Sequence, residues 1–85
     1  MNKNTIERML NNSSWINPEE KIVYKFINAG FLSINGAEYL PYSINSVNNR
    51  IVLQIGTDKS YNVEFVNDFI LRLYNNKESF RITPE

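Results

Sequence analysis

Alternation governs most of this chain. Between residues 21 and 27, Ile22, Tyr24 and Phe26 share one parity while Lys21 and Lys25 share the other, as on a strand with one buried face. The same period of two returns in Ile51, Leu53 and Ile55 against Val52 and Gln54, and in Tyr61, Val63 and Phe65 against Asn62 and Glu64. It recurs in Phe69, Leu71 and Leu73 against Ile70, Arg72 and Tyr74, and in Phe80 and Ile82 around Arg81. Turn formers separate the runs: Asn28-Ala29-Gly30, Asn35-Gly36, Asn48-Asn49, Gly56-Thr57-Asp58, Asn67-Asp68 and Asn75-Asn76-Lys77. Asn35-Gly36 is the strongest hairpin signal among them. It follows a short strand at residues 31–34, and the chain returns through residues 37–44, where Pro41 predicts an edge strand or a bulge.

The N-terminus follows a different period. Ile6, Met9 and Leu10 fall at i, i+3 and i+4, which predicts a helix over residues 4–11 with Asn4 as its cap and Glu7 three residues later. Asn11-Asn12-Ser13-Ser14 stops it. Two turns of helix are not stable alone, so this one must pack as a lid or plug across an end of the sheet. The remainder, residues 15–83, reads as about seven strands with short connections. That spacing favours an antiparallel meander. Curling or closing such a sheet buries every apolar face and limits its edges. The expected fold is therefore mainly β: a short helix, then a curled barrel or half-barrel, in one domain spanning residues 1–85.

Composition narrows the chemistry. Eighty-five residues make one small domain in which core volume is scarce. With no histidine and no cysteine, the usual zinc ligands, the usual base for a serine nucleophile and the cysteine nucleophile are all missing. Glu19 and Glu20 are adjacent and point to opposite faces of a strand; Asp58-Lys59-Ser60 lies in a turn. Neither makes a catalytic pair, so no catalytic residue, metal site or cofactor is expected, and the chain reads as a non-enzyme. Nine basic residues balance nine acidic ones, which argues against a nucleic-acid footprint. No apolar run approaches the ~20 residues of a membrane span. Residues 1–6 contain no apolar signal region, which predicts the cytoplasm if Met1 is native and export if a signal peptide has been removed.

Several apolar sets remain to be assigned. Tyr24, Phe26, Tyr42, Tyr61, Phe65 and Phe80 share the inward parity. They either line a cavity for a small apolar ligand or fill the core, each buried ring contributing ~1.5–3 kcal/mol. Val23, Ile27, Val52, Ile70 and Tyr74 fall on the outward parity, which predicts the helix or a second copy against that face. Tyr39, Leu40, Pro41 and Tyr42 cluster near the expected bulge and offer a patch for a protein partner.

The order of Trp15, then Tyr24-Lys25-Phe26-Ile27-Asn28-Ala29-Gly30-Phe31-Leu32, then Tyr42-Ser43-Ile44 resembles the bacterial lipocalin-like domains. Those carry a tryptophan on the first strand, a Y-x-F-x-x-D-G-T-F hairpin and a Y-x-I strand. Residues 60–73 and the closing Phe80-Arg81-Ile82 continue the likeness, which covers most of residues 15–83 in a short form. The resemblance implies a small apolar ligand held in the barrel against Tyr24, Phe26, Tyr42, Leu53, Tyr61 and Phe65, gated by the helix. It also implies that Trp15 packs under Arg81, a cation–π contact worth ~0.5–2 kcal/mol that would close the base of the barrel. The residues themselves favour a different use: a protein-interaction or structural domain with a solid core, working as a homodimer or with another protein through Val23, Tyr39, Val52, Ile70 and Tyr74.

Overall fold

The computed structural model describes residues 3–27, 30–37 and 39–85. One helix, α1 (Lys3–Leu10), precedes eight strands: β1 (Ser14–Asn17), β2 (Ile22–Ile27), β3 (Phe31–Ile34), β4 (Tyr39–Val47), β5 (Arg50–Ile55), β6 (Lys59–Asn67), β7 (Ile70–Tyr74) and β8 (Ser79–Pro84). Each strand pairs antiparallel with the next, and β8 pairs with β1, so the meander closes into a barrel. The eighth strand is the short β1. It carries only four residues, too few for the alternation of sequence to separate it from the turn that follows.

Positive φ angles explain the hairpins. Asn35 (φ 53°) and Gly36 (φ 70°) join β3 to β4, and Asn48 (φ 50°) and Asn49 (φ 64°) join β4 to β5. Both central residues of a type I′ turn need this conformation, which asparagine and glycine tolerate. The β6–β7 turn differs by one residue from the expected Asn67-Asp68. Asn67 still pairs with Ile70, its Oδ1 accepts the Phe69 N–H at 2.8 Å, and Phe69 sits in the turn, 69 % exposed. A bulge between Phe65 and Asn67 accommodates the shift.

Two strands turn the corners of the barrel. β4 pairs with β3 through Tyr39, Leu40 and Pro41, then with β5 from Tyr42 to Val47. β8 pairs with β7 from Ser79 to Ile82, then with β1 through Thr83 and Pro84. Pro41 neither ends β4 nor lies on an open edge. Its carbonyl accepts the Gly56 N–H at 2.8 Å, and the next residue, Tyr42, donates to the Gly30 carbonyl at 2.8 Å. The missing proline N–H falls where the strand changes partner, just before the first register pair of β4 with β5 at Tyr42 and Ile55.

The helix starts at Lys3, which places Asn4 inside it and not at its cap. Ile6 and Leu10 are fully buried and join the barrel core, while Met9 is half-buried against it. The stripe plugs an end of the barrel and does not lie on its outer face. Ser13 and Trp15 finish the helix: the Ser13 hydroxyl donates to the carbonyls of Leu10 (2.6 Å) and Met9 (2.8 Å). The Trp15 indole N–H reaches Ser13 Oγ at 2.9 Å and the Met9 carbonyl at 3.3 Å. The last carbonyls of the helix are thereby satisfied by Ser13, whose backbone N–H also donates to Leu10 at 3.2 Å, and by Trp15.

That arrangement replaces the expected Trp15–Arg81 stack. Trp15 is 3 % exposed and faces inward under the helix, whereas Arg81 is exposed on the outer face, beside Arg72 in register. Closure is made by backbone pairing, Trp15 with Pro84 and Ile16 with Thr83. Arg81 lies two and three residues back along β8 and on the opposite parity to Ile82.

Candidate functional site

The inward positions form a packed interior. Trp15, Tyr24, Phe26, Leu32, Ile44, Leu53, Tyr61, Leu71, Leu73 and Ile82 are buried in one cluster with Ile6 and Leu10 of the helix. The six residues expected to hold a ligand all point inward, but they divide between the two ends. Under the helix, Phe26 meets the Tyr42 ring edge-on, centroids 5.1 Å apart. At the opposite end, where β8 begins, Phe80 stacks on Tyr24 at 6.3 Å and takes the edge of Tyr61 at 5.4 Å. Leu53, fully buried, stands between Ile44 and Tyr61 in register; Phe65 is half-buried at the margin. The rings contact one another, which is the core-filling arrangement.

The far end is also polar at its surface. The Tyr61 hydroxyl donates to Glu78 Oε2 at 3.2 Å. Burial pushes the Tyr61 phenol up to about 12, and the nearby Glu78 carboxylate adds to the shift. The Tyr24 phenol is likewise pushed up to about 12, by burial first, then by Glu78 and Glu20. Burial also raises the Tyr42 phenol at the helix end, with a smaller contribution from Glu7. All three remain neutral hydroxyls across the physiological range. Asn17 is a buried polar residue that alternation did not single out: its Oδ1 accepts the N–H groups of Glu19 (3.1 Å) and Glu20 (3.3 Å) and holds the β1–β2 turn. The signal was Asn17-Pro18, a turn-initiating pair.

The outward set does not form one surface. Val52 and Tyr74 flank Asn62 across β5, β6 and β7. Arg72 covers the Tyr74 ring, its guanidinium carbon 4.4 Å from the centroid, while donating to Ser79 Oγ at 3.0 Å and pairing with Glu64 at 3.7 Å. Val23 and Ile70 lie elsewhere, half-buried on the outside of the barrel, with Val23 beside Ile16. Tyr39 belongs to a third place. It is 66 % exposed on β4, next to Pro41 on the same face. Pro41 pairs with Phe31, which is 47 % exposed, and Phe31 pairs with Ile27. Ile27, Phe31, Pro41 and Tyr39 therefore make one apolar patch across three strands. Phe31 and Ile27 were visible in the sequence only as members of a strand and of the scattered outward set.

An open groove of about 640 Å³ runs beside the patch, between α1 and β4. Lys3, Asn4, Glu7, Arg8 and Asn11 form its helical wall; Tyr42, Ser43 and Ile44 form the strand wall, with Gly30 at the margin. Of the six residues expected to hold a ligand, Tyr42 alone borders this groove, and none borders a second, smaller one on the outside of β5–β7. Among the described residues, no three potential metal-ligating side chains come together, and no helix is long and apolar enough to cross a membrane.

Comparison with family models, with curated proteins and with solved structures returns no match.

Proposed function

We propose that this chain is a non-catalytic protein-interaction module that works through the outside of its barrel and self-associates through the patch of Ile27, Phe31, Pro41 and Tyr39. The observation that carries the reading is the exposure of Phe31 and Tyr39, 47 % and 66 %, on adjoining strands around a proline. Aromatic side chains contribute large contact area at low entropic cost, and they concentrate at contact surfaces. The packed interior supports the same reading, since a module of this size spends its apolar side chains on the fold and retains only the outer surface for recognition. Zero net charge leaves no long-range repulsion between copies.

A four-residue patch doubled across a two-fold axis lies at the low end of interface sizes, the class of weak and transient association. The test is sedimentation velocity from micromolar to millimolar concentration, with native mass spectrometry alongside. The wild-type chain is expected to shift from monomer to dimer, and the Phe31→Ser/Tyr39→Ser variant to stay monomeric. A wild-type monomer throughout, or a dimer that the double variant leaves intact, refutes the proposed surface. Extra mass released on denaturation would instead revive the lipocalin-like reading of a small apolar ligand held in the interior.

A further inference from the structure

The groove beside α1 has a wall that a closed barrel should not possess. β4 is nine residues long, yet β3 accompanies only Tyr39, Leu40 and Pro41. From Ile44 to Val47 the strand pairs on one side alone, with β5. The direction of its backbone groups follows from the hairpin. A two-residue turn with both φ angles positive closes on a hydrogen-bonded pair, here Val47 and Arg50. Alternation then directs the N–H and C=O of Val47, Asn45 and Ser43 toward β5, and those of Ser46, Ile44 and Tyr42 away from it. Two bonds confirm the phase: Tyr42 N–H donates to Gly30, on the side of β3, and the Pro41 carbonyl accepts from Gly56, on the side of β5. Among the described residues, no backbone bond reaches Ile44 or Ser46 from the side away from β5. Among the described residues their donors and acceptors form a free strand edge, and Ile44 lines the groove.

We propose that this edge binds an extended segment of another polypeptide, which adds as a strand to β4 and lies along α1. A lone strand suits the site. The helix stands as the opposite wall of the groove, so an occupant of the edge lies between α1 and β4. Unpaired strand edges recruit strands because the missing ladder is already half present. The opposite wall chooses the side chains. Asn4, Glu7, Arg8 and Asn11 recur at i, i+3, i+4 and i+7, so the groove faces the polar side of the helix, away from Ile6 and Leu10. Glu7 is paired with Lys3 at 3.6 Å, while Arg8 joins no ion pair among the described residues. The favoured occupant is an extended peptide with polar side chains on its helix-facing side and a carboxylate opposite Arg8. This goes beyond self-association through Phe31 and Tyr39, and it uses different residues.

The test pans a random decapeptide display library on immobilised wild type, Ser46→Pro and Arg8→Glu. Proline at 46 deletes an N–H that points away from β5, so the β4–β5 ladder is untouched. Arg8→Glu lies on the exposed helix surface and tests the charge preference independently, while the urea midpoint of Ser46→Pro followed by Trp15 fluorescence shows that this variant is folded. The wild type is expected to enrich peptides sharing an acidic residue. Affinity for the best of them should fall by roughly tenfold or more in Ser46→Pro, and the acidic preference should vanish in Arg8→Glu. In the wild-type complex, amide exchange at Ile44 and Ser46 should slow. No enrichment on wild type, or equal binding to Ser46→Pro, overturns the proposal. A wild-type dimer that Ser46→Pro dissociates also overturns it, by assigning the edge to a second copy.

Discussion

Truncating Leu10 to alanine tests whether the helix is part of the fold or an accessory to it. Leu10 is the last residue of α1, has no exposed surface, and lies in the same cluster as Trp15. Removing its buried branch costs the transfer energy of the lost carbons plus the cavity left behind, ~2–5 kcal/mol for leucine at a site that cannot collapse. A domain of this length has ~4–13 kcal/mol of stability in total, at ~0.05–0.15 kcal/mol per residue. One substitution in a two-turn helix should therefore remove a large share of the global stability. The single tryptophan reports on the event directly, because its indole N–H bonds to Ser13 and to the Met9 carbonyl. Urea unfolding followed by Trp15 fluorescence and by far-ultraviolet circular dichroism should give coincident transitions for both proteins. The midpoint of Leu10→Ala should be lower by about 2 M, at a slope of ~1–1.5 kcal/mol per M. A loss below ~1 kcal/mol, or a fluorescence change that precedes the loss of strand signal, would refute the argument that helix and barrel share one core.

Further outcomes follow from other parts of the fold. Ser13→Ala should cost ~1 kcal/mol in the same assay, because the Met9 and Leu10 carbonyls and the Trp15 indole all lose a partner. Arg81→Ala should change stability by less than ~0.5 kcal/mol, as expected of an exposed residue; a larger loss would restore the Trp15–Arg81 stack. Asn35→Ala should cost ~1–2 kcal/mol, since Asn35 holds a left-handed φ and its Oδ1 accepts the Val23 N–H at 2.7 Å. The raised phenols of Tyr24 and Tyr61 favour the neutral form in the folded state, so their contribution is complete below about pH 10 and is lost as the pH rises toward about 12. Urea midpoints measured across that range should fall. Glu78→Gln removes the like charge beside both rings, and an absorbance titration should then show Tyr61 and Tyr24 ionising at lower pH.

The parity of strand residues was legible because burial on one face repeats every second position. Tyr24, Phe26, Tyr42, Leu53, Tyr61 and Phe65 point inward where alternation places them, and the plug stripe Ile6, Met9 and Leu10 lies on the core. What alternation cannot convey is how far one side chain lies from another around a closed sheet. Val23, Tyr39, Val52, Ile70 and Tyr74 share a parity and yet occupy three separate places on the surface. Their separation depends on register, which the hairpins set one at a time. Trp15 and Arg81 were assigned to each other through the lipocalin-like resemblance and their order along the chain, whereas the indole N–H bonds to Ser13 Oγ and to the Met9 carbonyl at the helix end.

Pro41 carries the most instructive error, because the residue was read correctly and its setting was not. A proline cannot donate to a ladder, which in an open sheet confines it to an edge. In a barrel of eight short strands the sheet must bend sharply to close, and a strand that changes partner at the bend has one position where no donor is required. Pro41 occupies that position in β4. The same change of partner ends the cover from β3 after Pro41 and Tyr42, and so leaves the backbone of Ile44 and Ser46 beyond it without a strand on that side among the described residues. The free edge is thus a geometric consequence of closing the barrel through a corner in a long strand. If so, the edge should persist when the surface side chains of β4 are changed: Asn45→Thr and Val47→Thr, both on the outer face, should leave peptide capture intact, while Ser46→Pro removes it. Loss of capture in the threonine variants would mean that side chains, not the unpaired backbone, make the site.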